Sequence, residues 1–104
     1  MSASHVRAEL NPVYNDNKIK LGVFHINGEG AAKTSVPERF HLTWDNSLDA
    51  AMAADRAGFE AIVPLSRWTS EVDPGHRSGT SYETLTWAAG IGALTRYSAV
   101  MSTC

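Results

Sequence analysis

One cysteine stands in 104 residues, Cys104, so an internal disulfide is excluded and the composition fits a reducing cytoplasm. Positive charge is also short. Nine Lys and Arg against eleven Asp and Glu leave a net charge of −2, with no field to recruit nucleic acid or an anionic membrane. No apolar run approaches the ~20 residues that span a bilayer. The opening "MSASHVRAELNPVYNDNK" has no apolar core of the kind a signal peptide needs. The four histidines, at 5, 25, 41 and 76, show no ligand spacing and have one cysteine to join them, so no metal site is expected. Gly28-Glu29-Gly30 has two glycines and no helix directly after it, so the dinucleotide-binding fingerprint fails. These absences leave an expected soluble, cytoplasmic chain with no nucleic-acid or membrane partner. Its 43% hydrophobic content suffices for one modest core.

What is present is a pattern of short apolar runs alternating with helical ones. Residues 1–18 are polar and aperiodic and read as a flexible lead-in. "KLGVFHI", Lys20 to Ile26, is dense in β-favouring residues and stops at Asn27-Gly28, as a strand does. A long loop follows, and then "DNSLDAAMAADRAGFE" reads as a helix. Asp45 or Asn46 is its expected cap, Leu48, Ala51, Met52 and Ala54 carry the helical spacing, and Gly58 is the left-handed stop. "EAIVPLS", Glu60 to Ser66, is apolar almost without interruption, which predicts a parallel strand buried on both faces. After a second long loop containing Asp73-Pro74-Gly75, Thr80 and Glu83 have the spacing of a capping box. The helix it opens, "SYETLTWAAGIGALTR", is expected to turn Leu85, Ala88, Ala89, Gly92 and Leu94 toward a sheet, with Trp87 in the core. "YSAVMST", Tyr97 to Thr103, is the third strand.

The resulting β-α-β-α-β order predicts three parallel strands side by side in the order 1-2-3, joined by right-handed crossovers. Both long loops follow strands, and parallel α/β folds place their chemistry at that end. A complete (β/α)₈ TIM barrel takes about 250 residues. Residues 19–104 are therefore expected to form a partial barrel, its first two and a half units, truncated after strand three.

Three stretches, "KLGVFHINGEG", "LTWDNSLDAAMAADRAGFEAIVPLSRW" and "SYETLTWAAGIGALTRYSAVMST", resemble the amino-terminal part of the bacterial luciferase-like flavin-dependent monooxygenases. The branch is that of the alkanesulfonate monooxygenases and the pyrimidine oxygenase. The resemblance runs from Lys20 to Cys104, under a third of the family's length. It implies a two-component oxygenase fragment: reduced FMN arrives from a flavin reductase, reacts with O₂, and oxygenates a small organic substrate. Alternatives are a deazaflavin (F420)-dependent oxidoreductase of the same barrel, and a non-catalytic fragment that needs an oligomer or a complementing chain.

The resemblance also implies site residues. Ser66 and Arg67, after strand two, match positions that touch the flavin ring, where a guanidinium would stabilise the reduced anion. Thr103, after strand three, falls where the family packs a small or hydroxyl residue under the ring. Asn27 lies where alkanesulfonate monooxygenases carry a histidine. It cannot titrate near neutral pH, but it can hydrogen-bond a polar substrate beside Trp68. On their own chemistry, Asn27-Gly28 is equally a turn, Arg67 an exposed charge and Thr103 a good strand former. No residue is assigned a catalytic role. His25, inside strand one, reads as a satisfied or lining residue.

Overall fold

The computed structural model describes residues 9–30, 34–66 and 80–103. They form a small α/β domain: β1 (Gly22–Phe24), α1 (Trp44–Ala57), β2 (Ala61–Val63), α2 (Thr84–Leu94) and β3 (Ala99–Val100). The strands make one parallel sheet in the order β1-β2-β3, as the alternating pattern predicts. Each is shorter than its apolar run, because ladder pairing covers two or three residues while the flanks turn into loops.

Register sorts the sheet into two rows. Val23 pairs with Ile62 and Ile62 with Val100, so these three share one face. That face carries the core: Ile62 and Ile91 are fully buried with Ala51, Ala54, Trp87 and Ala88, and Val23 and Val100 pack against them. Both helices thus cover the same side. The opposite row is Phe24, Ala61, Val63 and Ala99, all partly or largely exposed, with Phe24 at 59%. Burial of β2 on both faces was expected and is not what the described residues show. Ile62 is buried, while Ala61 and Val63, pointing the other way, are half-buried.

Both helix starts differ from expectation. The α1 cap is Thr43, whose Oγ1 accepts from the Asn46 amide at 3.0 Å, not Asp45 or Asn46. A threonine in extended backbone two positions before Asp45 meets the free amide first. At the other end Gly58 takes φ 86°, the left-handed stop expected of it. In α2 the Thr80–Glu83 box does not form. Glu83 is itself the cap, its carboxylate accepting from the Leu85 and Thr86 amides at 3.0 and 2.7 Å. The buried face of α2 is Thr84, Trp87, Ala88 and Ile91, spaced i, i+3, i+4, i+7. Leu85 and Leu94 are exposed, at 58% and 49%.

Two buried carboxylates tie the amino-terminal end of the sheet. Asp55, in the last turn of α1, accepts from the Arg96, Tyr97 and Ser98 amides at 2.8–2.9 Å, fixing the turn into β3. Burial pushes its pKa up, but these backbone donors, Ser98 first, outweigh burial and the net direction is down. Glu60 accepts from Asn17 Nδ2 (2.7 Å), Asn15 Nδ2 (3.2 Å) and the Leu21 amide (2.8 Å). Led by the Asn17 bond, these lower its pKa to about 2. The polar lead-in, expected to be flexible, is thereby tied to β2 over Asn15–Asn17, and its 3₁₀ turn at Pro12–Tyr14 buries Pro12.

Candidate functional site

Because the strands are parallel, the segments leaving β1, β2 and β3 emerge at one end of the sheet. Asn27 sits there, fully buried. Its Nδ2 donates to the Leu65 and Tyr82 carbonyls at 2.8 and 3.1 Å, and its Oδ1 accepts from the Leu65 amide at 2.7 Å. The backbone joins in: Tyr82 N donates to Asn27 O (2.8 Å) and Glu29 N to Thr80 O (3.1 Å), around an antiparallel bridge between Gly28 and Ser81. One amide therefore clips together the exits of β1 and β2 and the lead into α2. In this geometry its polar atoms face backbone groups rather than open space.

Ser66 and Thr103 lie on the same end of the sheet, exposed, after β2 and β3. Arg67 and Trp68 lie outside the described residues, and so does Cys104.

A second polar relay braces this end from below. Trp87 Nε1 donates to Ser47 Oγ (2.8 Å), and Ser47 Oγ donates to the Ile26 carbonyl (2.6 Å), linking α2, α1 and the exit of β1. Ser47 is fully buried. The serine supplies the one group that can accept from the indole and donate to the carbonyl at once.

Beside the clip, the exit of β1 opens into a cavity of about 280 Å³ lined by Phe24, His25, Ile26, Gly28, Arg39 and Phe40, among others. His25 turns the chain into it with φ 74°, a left-handed backbone that a histidine rarely adopts. Its ring lies 5.7 Å from that of Phe24. A Cβ added to Gly28 would stand 3.0 Å from His25 Nε2 and 3.3 Å from Ser81 Cβ, so glycine is what lets the imidazole and the bridge close together. His41 Nε2 donates to the Pro37 carbonyl (2.8 Å), and its Nδ1 faces Glu29 at 3.8 Å.

The lining role expected of His25 is met, although the residue sits just beyond β1. Arg39 and Phe40 escaped sequence reasoning. Their signal, a lone arginine followed by phenylalanine in "PERFH", is faint in a loop without periodicity. The α2 N-terminus cannot serve an anion in this geometry, since Glu83 already occupies its amides. Among the described residues no group of three or more His, Cys, Asp or Glu could hold a metal ion, and no helix is long and apolar enough to cross a membrane. No family model, no curated protein and no solved structure matches this chain.

Proposed function

We propose that this chain supplies the first strands of a luciferase-like (β/α)₈ barrel, and that its strand-exit end is the ring-facing part of a site for reduced FMN. The observation that carries the barrel reading is one-sided cover. Both helices lie on the Val23–Ile62–Val100 face, while the Phe24–Ala61–Val63–Ala99 row is apolar and open among the described residues. A doubly wound sheet carries helices on both faces, whereas barrel strands run in sequential order with helices outside and packed side chains inside. The flavin reading is supported by the stretches quoted above and by the exposed hydroxyls of Ser66 and Thr103 at the same end. In such a site the cofactor supplies oxygen activation. The chain's residues would position the ring through hydrogen bonds and keep water from it.

Barrels of this kind commonly hold a cofactor phosphate near strands seven and eight, so contacts from this segment should be to the ring alone. The test is titration of the isotope-labelled chain with FMN and with lumiflavin, which has the ring but no phosphate. Both should bind at about the millimolar level, equally, and shift the amides of Asn27–Gly30, Leu65–Ser66 and Thr103. Binding of FMN far tighter than lumiflavin, or no shift with either, overturns the reading.

A further inference from the structure

We propose that the cavity at the exit of β1 binds a small aromatic carboxylate, with Arg39 pairing the carboxylate and Phe24 and Phe40 flanking the ring. This stands apart from the flavin reading, since it asks only for binding by the residues of one loop and one strand end.

The first observation is a guanidinium with little to do. Arg39 is half-buried and lines the cavity, yet its side chain's one hydrogen bond among the described residues is a 3.5 Å contact from Nη1 to the Val36 carbonyl of its own turn. A guanidinium carries five N–H donors in a planar fork. Glu29, between the lining residues Gly28 and Gly30, has its carboxylate 3.8 Å from His41 Nδ1. A planar, two-oxygen anion is the partner that this fork matches best.

The second observation is independent of charge. Phe24 and Phe40 are 59% and 40% exposed at the mouth of the same cavity. The tilted imidazole of His25, held by its left-handed backbone, adds a third ring. Rings at such a mouth favour an aromatic body in offset or edge contact. The volume, about 280 Å³, lies just below the usual ~300–1,000 Å³ range for ligand sites and fits a single ring with a short acidic arm. A phosphate is the poorer candidate, because Arg39 is the one Lys or Arg among the described lining residues and the α2 amides are taken.

The experiment is a titration of the full isotope-labelled chain with benzoate, beside benzamide as the neutral isostere and acetate as the ringless acid. Benzoate should give saturable shifts confined to 24–30 and 34–41, with benzamide and acetate each at least about tenfold weaker. Arg39→Gln should weaken benzoate about tenfold with the amide spectrum otherwise preserved. Phe40→Leu should weaken it while leaving the preference for benzoate over benzamide intact. Arg96→Gln, an exposed cation at the opposite end of the sheet, should change nothing. Equal binding of benzamide and benzoate, an unaffected Arg39→Gln variant, or no saturable response at millimolar benzoate would each overturn the proposal.

Discussion

Single residues carry more of this fold than its short strands do. Glu60 is the clearest case, a carboxylate held by two asparagines and one amide. Its pKa is depressed in the folded chain, from 4.5 to about 2, so it contributes stability that is present above pH 4.5 and lost as pH falls toward 2. Glu60→Gln should lower the unfolding midpoint at pH 7 and flatten the acid limb between those two values, read from denaturant midpoints across pH. Asp55 works in the same direction. Asp55→Ala leaves the Arg96, Tyr97 and Ser98 amides without their acceptor and should cost roughly 3 kcal/mol, measured by chemical denaturation. Neither anchor was legible in the sequence. Each joins residues about forty positions apart, and nothing in "AADRAG" or "GFEAI" marks one acid as buried.

At the scale of elements, type, order and the Gly58 stop of α1 were legible, and the helix starts were not. Alternating strand and helix runs survive because each is set by local periodicity, and Gly58 stops α1 because a left-handed residue is needed there. Caps failed because several polar residues compete at each start, and the winner depends on where the backbone leaves extended geometry. Thr43 precedes the expected Asp45, and Glu83 replaces Thr80. The face of α2 was read in part: Trp87 and Ala88 are buried as expected, while Leu85 and Leu94 are exposed. The helix is apolar nearly all round, so hydropathy alone cannot reject Leu85 from the buried face that Trp87 occupies, and packing does. Trp87 wins because its indole N–H has Ser47 to donate to. Ser47→Ala removes that acceptor and leaves the Ile26 carbonyl bare as well, so it should destabilise by about 2–3 kcal/mol and shift the tryptophan emission to the red.

For the whole molecule, the sheet order followed from the sequence, but the one-sided cover did not. An uninterrupted apolar run in β2 signals burial without saying what does the burying, and here both helices take the Ile62 side. The open row should therefore respond to solvent. Val63→Lys should be tolerated with little loss of stability, whereas Ile62→Ala on the packed face should cost roughly 2–4 kcal/mol, both measured by denaturant midpoint. The cavity was hidden at this scale too. Phe24 comes from a strand and Arg39 from a loop fifteen positions on, and both line the cavity beside the left-handed turn at His25.

The buried clip at the strand exits also sets a chemical clock. Asparagine followed by glycine ages readily, because the glycine amide can attack the side-chain carbonyl and convert amide to acid. In Asn27-Gly28 that side chain is pinned by three hydrogen bonds to Leu65 and Tyr82 and cannot swing toward its own backbone while they last. Ageing at this pair should thus report how often the β1 exit opens. Intact-mass analysis during storage should find Asn27 slower to convert than an unstructured peptide of the same sequence. Tyr82→Pro, which deletes the backbone donor to the Asn27 carbonyl, should speed it up. Once formed, an aspartate would set negative charge against the two carbonyls that the amide now serves, so each event would make the next opening easier.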